Sequence, residues 1–247
     1  MNTVTDPGDL PRCDVLAVGP HPDDIEIACG GSLLRLRQQG ASLCLLDLTR
    51  GEMGSSGTVE DRDREALAAA TALQAAARAN LGLPDTRVTD DDDSTARLVA
   101  AMRAVRPKLL FAPHERDVHP DHTAGAHLVT RAHFLAGLRN YHPELGEPHR
   151  ARVLLRYPGN HPVEPTLVVD ISSVADQKEA VVRCYQSQLA PSDTGHLVQG
   201  LDLLERAIIR QRAMGALVAT AAGEGFVVDG PLAVDELGWL VETPTDR

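Results

Sequence analysis

The apolar positions of this chain fall into short unbroken runs, and longer Ala-rich or amphipathic stretches separate them. Short runs of Val, Leu and Ile that end at Gly, Pro or polar residues are typical of buried parallel strands. We therefore predict strands at 13–19, 41–48, 81–84, 107–113, 153–156, 166–169 and 225–228. Helices are expected at 30–39, 59–79, 124–138, 173–188 and 197–219, and the acidic run 90–93 is expected to begin one more. The strand, helix, strand order predicts an α/β fold, a mostly parallel sheet flanked by helices, with right-handed crossovers.

The length of the chain suits one large domain. Its 247 residues are 43% hydrophobic but only 3% aromatic, so Leu, Val, Ile and Ala must build the core. Residues 1–12 are polar, contain two prolines and are predicted to be a loose tail. Residues 13–247 are predicted to be a single domain that ends in a small C-terminal extension of helix and strand.

Charge and hydropathy exclude several classes of function. The formal net charge of −11 argues against a nucleic-acid partner and against binding to a membrane surface, since both need a basic face. No run approaches the roughly 20 apolar residues of a spanning helix, and the first residues do not have the pattern of a secretory signal. We therefore expect a cytoplasmic protein. Its four cysteines are widely spaced and are interpreted as free thiols.

Two short proline-braced motifs carry the candidate chemistry. Pro20-His21-Pro22-Asp23-Asp24 follows the first predicted strand, and His119-Pro120-Asp121-His122 follows the strand at 107–113. Imidazoles and carboxylates are the groups that hold a divalent metal and activate water on it. Either motif alone could be a local turn or helix cap. Their positions at the carboxyl ends of adjacent predicted strands favour a joint site.

Roles can be assigned from the chemistry of these side chains. His21 and Asp24 lie on one tight loop and can reach one ion, and His122 would complete three ligands. Asp23 is then free to act as general base on the attacking water. His119 should stand beside the substrate, where a protonated imidazole would stabilise an oxyanion or protonate a leaving amine. Asp121 can fix the tautomer of one of the histidines.

The two motifs resemble the signature pair of the PIG-L/LmbE-type zinc-dependent N-deacetylases. The resemblance implies a Rossmann-like fold and removal of acetyl groups from N-acetylglucosaminyl conjugates. It also implies zinc bound by His21, Asp24 and His122, with Asp23 as the base. His119 would be the electrophilic partner, oriented through Asp121.

Within that family the chain looks most like the bacillithiol-pathway deacetylases, which act on N-acetylglucosaminyl-malate. The matching stretches are 47–52, 83–85, 117–122, 136–141, 168–172, 185–188 and 224–226. Because that substrate is dianionic, Arg50 and Arg139 are candidates to bind its carboxylates, although each could equally be a structural ion-pair partner. Glu52 and Asp85 are candidates to bind sugar hydroxyls or to cap turns. A tyrosine that some relatives place in the sugar site is replaced near 195–196.

Several alternatives stay open at this point. Two histidines and one carboxylate would also accept Fe²⁺, Co²⁺ or Mn²⁺. The substrate could be a mycothiol precursor, a chitooligosaccharide or an antibiotic intermediate, and a non-catalytic sugar-binding protein is a further alternative. A nucleotide-binding module is disfavoured, because no GxGxxG follows the first strand. The resemblance also implies a homo-oligomer, a trimer or a hexamer.

Overall fold

The protein folds around one eight-stranded sheet of order β1-β4-β3-β2-β5-β6-β8-β7. A computed structural model describes residues 2–4, 6–189 and 202–233. The strands are β1 Asn2–Val4, β2 Val15–Gly19, β3 Leu43–Asp47, β4 Ala77–Asn80, β5 Leu109–Pro113, β6 Val153–Tyr157, β7 Leu167–Asp170 and β8 Gly223–Val228. Pairing is parallel from β1 to β6, and β8 runs antiparallel to both β6 and β7. The predicted α/β fold with a mostly parallel sheet is confirmed.

Helices cover both faces of this sheet. They are α1 Asp24–Gln38, α2 Val59–Ala72, α3 Asp92–Val105, α4 Pro120–Ala136, α5 Ala175–Val182, α6 Gln186–Leu189 and α7 Leu203–Leu217. Alternate residues of β2 enter different cores: Leu16 packs with the residues of α3 and α4, whereas Val15 packs with those of α1, α2 and α5. The central strands are therefore buried on both sides, which explains their unbroken apolar runs.

The N-terminal residues differ from the predicted loose tail. Asn2–Val4 forms β1 at the edge of the sheet, beside β4, and Leu10 is buried in the core. A 3₁₀ helix, Pro7–Asp9, connects the two and packs against α3. Part of this polar segment is therefore held by strand pairing and by one apolar anchor, which composition alone does not reveal.

The Ala-rich stretch also misled the prediction of a helix at 59–79 and a strand at 81–84. Helix α2 ends at Ala72, and Gln74 then takes a left-handed backbone conformation, with φ of 53°. The strand β4 begins at Ala77, four residues earlier than predicted. Arg78 within it is buried in ion pairs with Asp47 and Glu26, so tertiary contacts override helix propensity here.

Two helices begin earlier than predicted, and both differences concern the motifs. Helix α1 begins at Asp24 rather than at residue 30, and α4 begins at Pro120 rather than at residue 124. Both motifs therefore lie at helix N-termini as well as at strand ends. The acidic run does begin a helix, α3, with Asp91 as its N-cap.

Other features complete the description. The cysteines are free, as predicted, and Cys184 alone is only half-buried. Within the residues described, no helix combines the length and the apolar character needed to cross a membrane. The predicted tyrosine replacement at 195–196 lies outside the described residues.

Candidate metal centre and active site

The candidate site lies where β2 and β5 end. The two strands are parallel neighbours, with Val15 opposite Leu109, so the loops that follow them leave the same edge of the sheet. A cleft of about 270 Å³ opens there. Residues of both motifs line it: His21, Asp23, Asp24, His119 and His122. The two motifs, about 100 residues apart in sequence, thus meet in one cleft.

Asp24 stands between two of the histidines. Its Oδ2 atom lies 3.2 Å from Nδ1 of His21 and 3.3 Å from Nε2 of His122. Donor atoms that share one tetrahedral zinc at about 2.0–2.1 Å lie roughly 3.3–3.4 Å apart. Both separations agree with that value, so Asp24 is spaced from each histidine as two ligands of one ion would be. One donor atom each of His21, His119 and His122 also lies within 4.8 Å of the others.

Carboxylates hold the ring nitrogens that face away from Asp24. Nε2 of His21 lies 3.1 Å from Asp85 Oδ1 and 3.3 Å from Asp121 Oδ2. Nδ1 of His122 lies 3.1 Å from Asp117 Oδ2. Outer carboxylates of this kind fix the tautomer and orientation of histidines that bind metals. The arrangement therefore prepares Nδ1 of His21 and Nε2 of His122 as donors to a cation.

A second group of donors, His21, Asp85 and Asp121, also comes within 4.8 Å of one another. Backbone N–H groups already occupy its carboxylates: Met53 donates to Asp85 at 2.8 Å, and Thr86 donates to Asp121 at 2.6 Å. Both carboxylates also contact Nε2 of His21, the ring nitrogen that faces away from Asp24, so their position is that of groups that orient this ring. Asp85 and Asp121 therefore support the donor set of His21, Asp24 and His122 by holding the His21 ring.

The electrostatics of the cluster also favour a cation. Burial alone lowers the pKa of His122, but the charge of Asp24 and the hydrogen bond to Asp117 outweigh it and raise that pKa to about 9. Burial likewise opposes a high pKa at His21, yet its hydrogen bonds to Asp121, Asp24 and Asp85 raise it well above the usual value. Carboxylates that favour protonated imidazoles equally favour a divalent cation in place of the protons.

Asp23 occupies an unusual backbone conformation beside this cluster. Its φ is 111°, outside the region that non-glycine residues prefer, and its side chain makes no capping bond to α1. Helix capping is therefore not its role. Burial raises the pKa of Asp23 to about 7, and the nearby charge of Arg62, 3.4 Å away, opposes the rise. Arg62 also donates to the carbonyl of Pro22, which holds the guanidinium beneath the loop.

His119 combines a structural and a chemical position. It is the N-cap of α4, and its Nδ1 accepts a hydrogen bond of 3.2 Å from the backbone N–H of Asp121. An accepting Nδ1 places the ring proton on Nε2 in the neutral form. Burial, and then the charges of His21 and His122, lower the pKa of His119. The geometry thus favours a neutral N–H donor over the protonated imidazole that we expected.

The relation between His119 and Asp121 differs from the prediction. The carboxylate of Asp121 does not orient His119; it contacts His21 and accepts backbone hydrogen bonds from Thr86 and Val88. Only the main chain of Asp121 contacts His119. The reason is that Asp121 lies in the first turn of α4, whose direction carries its side chain toward the loop at 85–88.

Comparison with known proteins identifies the family. The PIG-L profile, described as GlcNAc-PI de-N-acetylase, matches residues 16–133. A diacetylchitobiose deacetylase from Thermococcus kodakarensis is 30% identical over 197 residues, which cover 74% of this chain and 72% of the relative. This chain belongs to the PIG-L family. The resemblance predicted from the motifs is therefore confirmed, and the chain is an enzyme of that family.

Two further comparisons bear on the PIG-L assignment. A probable N-acetyl-alpha-D-glucosaminyl L-malate deacetylase 2 from Bacillus cereus is 29% identical over 201 residues, covering 70% of this chain and 83% of the relative. The crystal structure of a conserved protein from Thermus thermophilus is similar with a TM-score of 0.80 at 42% identity. That match covers 92% of this chain and 98% of the other.

Two arginines predicted to bind substrate in this PIG-L enzyme lie elsewhere. Arg50 forms an exposed ion pair with Asp63, and Arg139 is exposed beyond the last turn of α4, whose first turn holds the motif. Among the described residues that line the cleft, neither occurs. The structural ion-pair alternative thus applies to Arg50, and the length of α4 separates Arg139 from the cleft.

The two predicted acidic contacts have mainly supporting positions. Asp85 lines the cleft, but its carboxylate is engaged by His21 and by the N–H of Met53. Glu52 accepts a hydrogen bond of 2.8 Å from the N–H of Asp85 and so holds that loop. The capping alternative therefore describes Glu52 better than a sugar contact does.

Sequence reasoning missed four residues in or behind the cleft. Asp117 was part of a matched stretch, but its contact with His122 was not foreseen. Asn160 binds Asp117 through its backbone N–H at 2.7 Å, and Arg206 and Arg210 of α7 also line the cleft. Only Asp117 could have been found from the local sequence, because it lies two residues before His119 in the same loop. The other residues lie on elements that are distant in sequence.

Proposed function

We propose that this PIG-L enzyme is a metal-dependent hydrolase that removes the acetyl group from an N-acetylglucosaminyl conjugate. The observation that carries the proposal is the position of Asp24 Oδ2, between Nδ1 of His21 and Nε2 of His122. Carboxylates hold the opposite nitrogen of each ring. Two imidazoles and one carboxylate would suit a metal that keeps a further position for water.

His21, Asp24 and His122 would hold the ion, with zinc as the first candidate. Zinc suits two imidazoles and one carboxylate, and Fe²⁺, Co²⁺ or Mn²⁺ would also be accepted. The bound ion would polarise the acetyl carbonyl and increase the acidity of the attacking water.

Asp23 would take the proton of that water. It lines the cleft next to Asp24, and its side chain is free of helix capping. A nearby cation lowers the pKa of a carboxyl group, so Asp23 would be ionised near neutral pH when the metal is bound. After accepting the proton, Asp23 can transfer it to the departing amine.

His119 would act on the other side of the reacting carbonyl. Its Nδ1 is occupied by the N–H of Asp121, so Nε2–H is the group available to the cleft. A neutral N–H donor directed at the developing oxyanion stabilises the transition state, and the imidazole does not first have to take up a proton. Asp121 and Asp85 act through His21 as positioning residues.

The substrate that we favour is N-acetyl-alpha-D-glucosaminyl L-malate, the substrate of bacillithiol biosynthesis. Support comes from the matched stretches in the sequence and from the relative in Bacillus cereus. Other N-acetylglucosaminides, such as a chitooligosaccharide, are the alternative, because the relative from Thermococcus kodakarensis is a diacetylchitobiose deacetylase. A cytoplasmic location and a homo-oligomeric state stay predictions.

Release of free amine would test this function. We would assay zinc-loaded wild type, Asp23→Asn and Asp176→Asn on the malate conjugate, diacetylchitobiose and free N-acetylglucosamine. Asp176 is exposed on α5 and serves as the matched control. Loss of the base should lower kcat by roughly 100- to 10,000-fold while zinc binding persists. Zinc binding without cleavage of any of these amides by the wild type would contradict the proposal.

A further inference from the structure

One face of α7 lines the cleft that holds the two motifs, and we call it the α7 wall. Leu203, Arg206 and Arg210 all line the cleft, at positions i, i+3 and i+7 of the helix. This spacing places the three side chains on one helical face. The helix turns its other side, including Leu204 and Ala207, toward the interior. The cleft therefore has two positive side chains on adjacent turns.

These two arginines have few partners within the part of the chain that the structure describes. Arg206 donates one hydrogen bond there, of 3.0 Å, to Oδ1 of Asn160, whereas a guanidinium carries five N–H donors. Arg210 has no hydrogen-bond or ion-pair partner among residues 2–4, 6–189 and 202–233. Burial, and then the charge of Arg206, lower the pKa of Arg210, and the charges of Asp117 and Asp24 oppose this only in part. Like charges four residues apart also destabilise a helix, so the pair has a cost that a bound anion would remove.

The remaining arginine of the cleft is already engaged. Arg62 contacts the carbonyl of Pro22 and the carboxylate of Asp23. Arg50 is paired with Asp63 outside the cleft, and Arg139 is exposed elsewhere. In a chain with a net charge of −11, Arg206 and Arg210 are thus the arginines available to an anionic ligand among the described residues that line this cleft.

We propose that Arg206 and Arg210 bind an anionic group on the aglycone of the substrate and thereby select acidic N-acetylglucosaminyl conjugates over neutral ones. This inference rests on the proposed deacetylase function. The sugar acetamide would lie at the motifs, and the aglycone would extend to the α7 wall. A guanidinium can donate two parallel hydrogen bonds to the oxygens of a carboxylate, and a phosphate offers the same acceptors.

Arg206 also links this wall to the candidate metal centre. Its partner Asn160 donates through its backbone N–H to Asp117, and Asp117 contacts Nδ1 of His122. An anion at Arg206 would therefore lie one side chain away from the group that orients His122. Arg210 has no such link among the described residues, which makes it the cleaner position for a test of anion binding.

The experiment measures kcat and KM with three substrates: the malate conjugate, N-acetylglucosamine 1-phosphate, and the uncharged methyl N-acetylglucosaminide. The enzymes are zinc-loaded wild type, Arg210→Gln, Arg210→Lys and Arg212→Gln. Arg212 is exposed on the same helix and is the matched control. For Arg210→Gln we expect roughly a 10- to 100-fold rise in KM for an acidic substrate, since hydrogen bonds to charged groups are the strong ones. We expect no change with the methyl glycoside, partial rescue by Arg210→Lys, and a wild-type KM in Arg212→Gln.

The other outcomes are equally informative. Equal losses on acidic and neutral substrates, or a wild type that prefers the methyl glycoside, would overturn the inference and leave the deacetylase proposal intact. A preference for the phosphate over the malate conjugate would support an anion site and identify its ligand as phosphate.

If no amide were cleaved, the deacetylase proposal would fall, and calorimetry with L-malate and inorganic phosphate would decide the inference separately. An anion affinity that falls in Arg210→Gln but not in Arg212→Gln would support the site. An affinity unchanged in Arg210→Gln would place the anion at the metal alone and overturn it.

Discussion

The carboxylate of Asp117 lies 3.1 Å from Nδ1 of His122, and Nε2 of the same ring lies 3.3 Å from Asp24. Asp117 is itself held by N–H groups of His119 and Asn160, at 2.8 Å and 2.7 Å. Burial opposes a low pKa at Asp117, but its hydrogen bonds to His122 and His119 lower that pKa to about 2. It therefore stays ionised at any physiological pH and presents a fixed negative charge to the ring.

Replacing Asp117 should weaken the metal site without removing a ligand. Asp117→Asn keeps the size of the side chain but loses the charge that holds a proton on Nδ1 of His122. We expect zinc affinity to fall by roughly 10- to 100-fold, as when other outer carboxylates are lost. Competition with a chromogenic chelator would measure the affinity, and Asp176→Asn would be the control. Equal affinities for Asp117→Asn and wild type would refute the assigned role.

Gly159 should be intolerant of any side chain. A Cβ built there would overlap Oδ2 of Asp117 and come within 2.5 Å of Nδ1 of His122. Gly159→Ala should therefore separate these two side chains and abolish tight zinc binding. Gly30→Ala is the control, since its Cβ would meet only Lys178 Cγ, at an ordinary 3.7 Å. Full zinc affinity in Gly159→Ala, with a fold unchanged by circular dichroism, would show that the contact is dispensable.

Arg62 should control the acid side of the pH profile. Burial raises the pKa of Asp23 to about 7, and the positive charge of Arg62 opposes that rise. Arg62→Gln removes the opposing charge, so the pKa of Asp23 rises further. Because a general base must be ionised, the rising limb of kcat/KM against pH should move to higher pH.

The bound metal would lower the absolute pKa of Asp23 but would leave the direction of this shift unchanged. Arg64→Gln, whose side chain is 71% exposed on the same helix, is the control and should keep the wild-type profile. A limb that stays in place in Arg62→Gln would mean that another group titrates.

Loss of the buried charge of Arg78 should strongly destabilise the fold. It donates to both oxygens of Asp47 at 2.7 Å and to Glu26 at 2.5 Å, and all three side chains are buried. Arg78→Met leaves two buried carboxylates without their cation. We expect the free energy of unfolding to fall by about 3 to 5 kcal/mol. Urea denaturation followed by circular dichroism would measure the change. Lys108→Ala, which breaks an exposed pair with Asp14, should leave the midpoint almost unchanged. Similar midpoints for both variants would contradict this account.

The positions of His21, Asp23, Asp24, His119 and His122 in one cleft could be predicted from the sequence, because each motif directly follows an apolar strand. Strand ends of a parallel sheet share one edge, so local pattern was sufficient. The sequence also predicts that the strands before the two motifs are neighbours, and the parallel pairing of β2 with β5 agrees with this.

The outer part of the site could not be predicted in the same way. Asn160 and Arg210 come from a loop after β6 and from α7, and Asp85, a predicted sugar contact or turn cap, instead reaches His21 from a loop after β4. Their side chains meet the motifs only through the tertiary fold, and no spacing in the sequence encodes that meeting. Arg50 is the opposite case, since it was predicted in the site and lies outside it. It follows β3 near the cleft, but its long side chain turns away and pairs with Asp63 at the surface.

The meeting of the two motifs has a consequence for the lifetime of the protein. The contact between His21 and Asp121 joins segments 100 residues apart, so the donor set exists only while the central strands are assembled. A ligand that binds only the folded chain stabilises it by about 2.7 kcal/mol at a hundredfold excess over its Kd. The apo chain would then open more often and present itself to proteases. Metal supply would thus set how much of this protein a cell retains, in addition to how fast each copy turns over.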